Sequence, residues 1–530
     1  MQSRMVEILT TAVAAVLLAA AGGAQAEEDN TSMGGITAYQ VRSDDCALSG
    51  CGYISPEIAA GLYNLGELAR VDSRGSAMMI GNSLATAKAG QRPRLLGVFD
   101  NLVQTVYLDF DTGPPLVLIT DFRGAPVAQL PAHQYTQDER NAVQARLEAD
   151  FQQFRAIRFT QTRPADGRKF TTLTFSCDNG LPGSSCIQFD PGTGNLSTLL
   201  GGAENTDFLN ADTGDNAFIQ GEFPEFLVLL RAFGFFNAVL GVPVNGNDPA
   251  SVAQAVSTAV VNQVANTAAH ELGHLLGLRH HDSFGAPGDG LPTTGTPRPD
   301  TFVPVFDRGQ NAAETVLHLM ATGTSLSASI ARSFSTDPFF GEREATKLLA
   351  ARFALRQREA LVNRRSNRDV AFTRFLVPNT VLEGENAGSK FLDVQGALIT
   401  EASIDPANAD TYRFRGKAGE FINAEVVSFS NQLVEDSVIT NINLYSIDAD
   451  GSRTLVAFNA QTFESFDPFL LDVQLPRSGN YELEIVSANQ VIIGGTVTPL
   501  VGVNAEFTAG TYELIAYMVN GPLNLRRSRN

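Results

Sequence analysis

The chain has 530 residues, 57 acidic and 38 basic side chains, a formal net charge of −19 and no tryptophan. That length suits two or three domains after processing, and the apolar content is ordinary for globular proteins. The acidic balance excludes a nucleic-acid partner, which would need a basic stripe, and suits an exported protein that must resist self-association.

Residues 1–26 read as a secretory signal peptide. Arg4 marks a short charged start, residues 8–21 are an apolar run, and Ala24-Gln25-Ala26 is a cleavage signal. The run is short for a membrane span, and a retained N-terminal anchor is the alternative. No later stretch of sequence is apolar enough to span a bilayer. The processed protein is expected to be secreted or periplasmic, monomeric and without membrane contact. Residues 27–92 form an N-terminal segment or propeptide, with helical spacing over 56–69 and a linker-like run over 73–90. The four cysteines fall into two close pairs, Cys46 with Cys51 and Cys177 with Cys186. Two local disulfides are the simplest of the three pairings in an oxidising compartment, and neither pair has zinc-finger spacing.

Residues 93–366 are expected to form one domain. Residues 104–110 alternate as a strand, with Val106 and Leu108 on one face. Residues 136–154 form an amphipathic helix opened by a capping box of Thr136 and Glu139. Strands follow over 156–162 and 169–176, and Ala217-Phe218-Ile219-Gln220 reads as a strand at the sheet edge or inside the sheet. Residues 249–278 carry Ala and Val at helical spacing, with Asn266 or Thr267 placed to cap a separate second helix.

That stretch runs into His270-Glu271-Leu272-Gly273-His274-Leu275-Leu276-Gly277-Leu278-Arg279-His280. His270 and His274 lie one helical turn apart, so both imidazoles project from one face and can share a Zn²⁺. Glu271 beside them can take a proton from a water molecule on the metal. Gly277 can adopt the positive φ that ends a helix, and the turn would return His280 as third ligand. His281 follows directly, but spacing selects His280. The motif fixes five positions, and three of them take a residue that occurs only six times in the chain.

These residues resemble the extended motif of the metzincin zinc peptidases. The resemblance implies an α+β architecture: a catalytic domain with a twisted mixed sheet and an active-site helix, followed here by an all-β sandwich. It implies one catalytic Zn²⁺ on His270, His274 and His280, with Glu271 as general base. It also implies a tight methionine turn below the metal, which His318-Leu319-Met320-Ala321-Thr322-Gly323-Thr324 fits with Met320. Position 322 is threonine where some metzincins place a tyrosine ligand, so that role is not carried over. In such enzymes an edge strand lines the cleft and the substrate adds to it as a further strand. Residues 320–334 would then form a wall of the specificity pocket. Residues 341–366, after Thr336-Asp337-Pro338, match the long C-terminal helix of the family. Many metzincins bind Ca²⁺, and Asp212-Thr213-Gly214-Asp215-Asn216 reads as oxygen ligands for it or as a solvated loop. Cys46 and Cys51 lack the flanking residues of a latency switch, and a local disulfide suits them better.

Residues 367–520 alternate apolar and polar residues between turns, over 410–414, 421–429, 442–448, 470–475, 481–486 and 512–519. That spacing predicts an antiparallel β-sandwich. Asp410-Thr411-Tyr412-Arg413-Phe414 and Gly479-Asn480-Tyr481-Glu482-Leu483-Glu484-Ile485, repeated as Gly510-Thr511-Tyr512-Glu513-Leu514, resemble the bacterial pre-peptidase C-terminal domain. Asp448-Ala449-Asp450-Gly451 starts like a calcium loop but lacks the closing Glu, and reads as a hairpin turn. Residues 521–530 form an arginine-rich tail. The combined expectation is a secreted zinc endopeptidase acting on a protein or peptide substrate. The alternatives are an exported binding or adhesion protein with a structural zinc, and a zinc amidase of cell-wall peptides.

Overall fold

The computed structural model describes 104–152, 157–176, 186–189, 196–229, 244–283, 318–320, 338–358, 367–369, 373–378, 391–404, 409–428, 438–459, 467–487, 490–499 and 509–519, with some positions missing within these spans, and the isolated residues 154, 236, 240 and 334. The signal peptide, residues 27–92, Cys46, Cys51, Cys177, Asp212, residues 321–333 and the tail lie outside the described residues. Among the described residues no helix is long and apolar enough to cross a membrane.

The N-terminal region begins with β1 (Gln104–Asp109), β2 (Leu116–Thr120), β3 (Pro126–Pro131) and helix α1 (Gln137–Phe151). Then come β4 (Ile157–Thr160), β5 (Thr171–Thr174), β6 (Ile187–Phe189), β7 (Leu196–Thr198), β8 (Gly201–Ala203) and β9 (Asn216–Ile219). The main sheet has the order β4-β1-β5-β9-β8, with β8 antiparallel to β9 and the other neighbours parallel. A second sheet runs β3-β2-β6-β7. Strand β9 is therefore internal, and the strand predicted over 217–220 is no edge. Gly201–Ala203 forms the edge instead, a glycine-rich segment too short and too small for an alternating pattern to reveal.

Helix α1 starts at its capping box: Glu139 N–H donates to Thr136 Oγ1 at 3.3 Å, and Thr136 N–H donates to Glu139 Oε2 at 2.8 Å. Val143, Leu147 and Phe151 recur at four-residue spacing and are buried. After α2 (Phe223–Leu229) comes α3 (Pro249–Leu275), 27 residues capped by Asp248 with proline in the first turn. It is one continuous helix. Asn266 and Thr267 are interior positions and cap nothing. Arg146 of α1 reaches Asn262 and Asn266 at 2.8 and 2.5 Å, so those polar residues lock α1 onto α3.

Helix α4 (Glu342–Phe353) is shorter than the helix predicted to Ser366, and the three residues after Pro338, up to Gly341, precede it. The chain then forms β10 (Leu355–Arg358), which pairs in parallel with β13 (Phe391–Ile404), so it enters the sandwich before residue 367. The other sandwich strands are β11 (Asn367–Asp369), β12 (Thr373–Pro378), β14 (Ala409–Gly416), β15 (Phe421–Val427), β16 (Thr440–Ile447), β17 (Arg453–Asn459), β18 (Phe469–Gln474), β19 (Gly479–Ser487) and β22 (Gly510–Val519), while β20 (Gln490–Ile493) and β21 (Thr496–Pro499) pair as a ribbon. One sheet runs β10-β13-β22-β15-β18 with β12 also on β13, and the other runs β11-β14-β19-β16-β17. Apart from β10 with β13 and β11 with β14, these pairings are antiparallel. Asp448–Ser452 closes the β16–β17 hairpin, with Gly451 at φ +85°.

The two sandwich sheets enclose Leu398, Tyr412, Ile422, Leu444, Leu483 and Leu514. The opposite face of the first sheet is also buried. Val394, Ile399, Ile515, Tyr517 and Val519 join one apolar cluster with Ala345 and Leu348 of α4 and with Leu272 and Leu275 of α3. The N-terminal region and the sandwich thus share a core.

Candidate metal centre

Helix α3 brings His270, Glu271 and His274 into the core, where each is no more than 2% exposed. Its C-terminal turn is a Schellman motif. Gly277 N–H donates to His274 O at 2.8 Å, Leu278 N–H donates to Gly273 O at 2.9 Å, and Gly277 has φ +92°. The chain then bends into a short 3-10 turn, His280–Ser283. The glycine thus acts as the sequence predicted. The side chains of His280 and His281 lie outside the described residues, as does part of the calcium-loop candidate. Among the described residues no group of three or more His, Cys, Asp or Glu comes together to hold a metal. Of the calcium candidate, Asn216 opens β9 and bonds Glu204 at 2.9 Å, while Asp215 O accepts Thr172 N–H.

The two described histidines are oriented by backbone. His270 Nδ1 donates to Leu319 O, and His274 Nδ1 donates to Leu278 O at 2.9 Å. A carbonyl can only accept, so the proton of each neutral ring sits on Nδ1 and each Nε2 carries a lone pair. Those two Nε2 atoms lie 3.1 Å apart. Two facing lone pairs repel unless a cation lies between them. Nitrogens sharing one tetrahedral Zn²⁺ at 2.0–2.1 Å would be about 3.3 Å apart. The described donors therefore fit a zinc ion.

Met320 is fully buried in a turn, and a Cβ built on Gly273 would lie 2.5 Å from its Sδ. The methionine thus sits against the helix between the two histidines. Its turn is pinned by α4: Met320 N–H donates to Glu344 Oε1 at 2.8 Å, and Gly341 N–H donates to the other oxygen of that carboxylate. Burial pushes the Glu344 carboxyl up to about 7, against the opposing effect of His318 and the two backbone donors and with a further rise from Asp282. His318 Nδ1 bonds Ser283 O at 2.8 Å, tying the methionine turn to the 3-10 turn.

Two contributors escaped sequence reasoning. Gly201 of the edge strand faces the general-base candidate, and a Cβ there would meet Glu271 Oε1 at 2.7 Å and Thr267 Cγ2 at 2.5 Å. Glu344 stands three residues after Gly341, the spacing of a residue that reaches back to the helix start, and that was its only signal. Cys186 is buried and disulfide-bonded, with its partner outside the described residues.

No protein-family model and no curated protein matches the chain. Among solved structures it is similar to PliG of Salmonella Typhimurium, a periplasmic inhibitor of g-type lysozyme, at 14% identity over 23% of this chain and 86% of that one, with a TM-score of 0.14. PliG of Aeromonas hydrophila is similar at 11% identity, over 23% and 84% of the two chains, with a TM-score of 0.15. The pre-peptidase C-terminal domain of a Bacillus anthracis collagenase is similar at 14% identity, over 22% and 86%, with a TM-score of 0.14. At these scores the likenesses add nothing to the sandwich topology that strand pairing already establishes.

Proposed function

We propose that the chain is an exported zinc endopeptidase of the metzincin type, with a C-terminal sandwich of the pre-peptidase C-terminal kind. One observation carries the reading: two lone-pair-bearing Nε2 atoms face each other at 3.1 Å, each on a ring whose Nδ1 is committed to a backbone carbonyl, with Glu271 buried beside them. The mixed sheet beside the histidine helix and the methionine packed under it support the same reading. The disulfide at Cys186 supports an oxidising compartment.

His270, His274 and His280 would hold the ion, with Met320 as an apolar floor. When bound, zinc would supply an acidified water molecule and polarise the scissile carbonyl. The Glu271 carboxylate would act as general base, holding a proton and delivering it to the leaving amine. The carbonyls of Leu319 and Leu278 keep the two imidazoles in the ligating tautomer. Gly201 leaves room for the Glu271 carboxylate.

Glu271→Gln tests this directly. The variant should keep one zinc per chain while casein hydrolysis falls on the order of 10²–10⁴-fold. Near-normal hydrolysis by the metal-loaded variant, or wild-type protein without stoichiometric zinc, would sink the assignment.

A further inference from the structure

The turn that carries the third histidine is gripped from the sandwich. Arg279 and Asp282 bracket His280 and His281. The Asp282 carboxylate accepts Arg279 N–H at 2.7 Å, which closes the turn on itself. The same oxygen, Oδ2, accepts Lys347 Nζ of α4 at 2.7 Å. Lys347 Nζ also lies 2.6 Å from Glu425 Oε1 on β15, and Glu425 Oε2 lies 3.5 Å from Arg279 Nη1. The four side chains are between 0 and 6% exposed. Two cations and two anions thus alternate along a buried circuit, which returns from Asp282 to the backbone N–H of Arg279.

Buried ion pairs are weak sources of stability, because desolvation offsets their attraction, but they are selective about geometry. Apolar packing already joins α4 to the sandwich sheet through Leu348, Val394 and Ile515. The circuit adds direction to that packing. It ties one atom group of a sandwich strand to the residues immediately before and after the histidines of the 3-10 turn.

We propose that Glu425 is a positioning residue for the metal centre: through Lys347 and Arg279 it sets where the third-histidine turn sits relative to His270 and His274. The inference rests on the zinc reading of that site. The sandwich is then a structural part of the peptidase centre as well as a neighbour of it.

The test uses the full chain and reads zinc affinity by chelator competition, together with the ligand-field absorption of the Co²⁺-loaded protein. Glu425→Gln keeps the shape and removes the charge. It is expected to weaken zinc binding at least tenfold and to alter the Co²⁺ spectrum. Asp472→Asn is the control: Asp472 pairs with Arg343 of α4 across the same interface, in a different ion pair from the one at Glu425. It should lower the melting temperature while leaving zinc affinity within twofold and the Co²⁺ spectrum unchanged. If Glu425→Gln does not accumulate as folded protein, Lys347→Gln carries the same expectation. Wild-type zinc affinity and spectrum in the charge-circuit variant would overturn the positioning role, as would equal zinc loss in Asp472→Asn. Failure of the wild-type chain to bind zinc would instead overturn the reading of the site.

Discussion

At Gly201 the backbone of an edge strand passes so close to Glu271 that no side chain fits. Gly201→Ala would force a methyl group against the carboxylate and against Thr267, and such overpacking costs about 1–3 kcal/mol. The carboxylate is the more mobile neighbour and should move. Turnover is expected to fall at least tenfold with zinc content unchanged, as read by kcat, metal analysis and thermal melting. Wild-type kcat in that variant would show that the close approach has no bearing on proton transfer. The facing of His270 and His274 was legible in the sequence because a four-residue spacing puts both on one helix face, and Gly277 because a helix-ending turn favours glycine. Gly201, Glu344 and Glu425 were not, because they reach the site from distant strands and helices and leave no local pattern.

Sequence alternation marked β15, β18 and β22 although both their faces are buried, whereas β13 in the same sheet left no such pattern. The capping box placed the start of α1 to the residue, and β14, β15, β16, β18, β19 and β22 fall on the six alternating stretches. Strand β13 has 14 residues and was missed. One of its faces packs on the second sandwich sheet through Leu398 and Ile404, the other on the shared core through Val394 and Ile399, so nothing requires alternation there. Helix α4 fails in the opposite sense. Its charged residues Glu342, Arg343, Glu344 and Lys347 are all buried and partnered. Glu222, between β9 and α2, and His133, between β3 and α1, link this scale to pH. Burial, and then the charge of Glu225, pushes the Glu222 carboxyl up to about 7. Burial opposes charge on His133, but its bonds to Glu225 and then Glu139 outweigh that and hold its pKa above the ordinary value. A carboxyl with a raised folded-state pKa binds its proton more tightly when folded, so stability falls as pH rises from 4.5 towards about 7. A histidine with a raised pKa likewise loses its contribution as pH rises. Glu222→Gln should therefore gain stability over wild type at pH 8 and little at pH 5, by chemical denaturation at both. An unchanged pH dependence would place the titration elsewhere.

At the level of the whole molecule, the first sandwich sheet is the middle layer of three. Arg343 is fully buried and bonds Asn423 at 2.8 Å and both Asp472 oxygens, which joins α4 to that layer. Through contacts of its own, Glu344 holds the methionine turn, and the methionine turn holds His270 through Leu319. A chain ending before Gly510 lacks β22, which pairs with both β13 and β15 and supplies Ile515, Tyr517 and Val519 to the shared core. It is expected to be rapidly degraded by added trypsin and to bind no stoichiometric zinc. A trypsin-resistant, zinc-loaded truncation would refute the three-layer dependence.

The position of β22 also has a temporal meaning. Its partners lie about a hundred residues earlier, and long-range pairings of that kind form late. While the polypeptide is still being synthesised, the platform that orients the histidines is missing its central plank. A histidine site that depends on this strand stays incomplete until residues near 519 have been made.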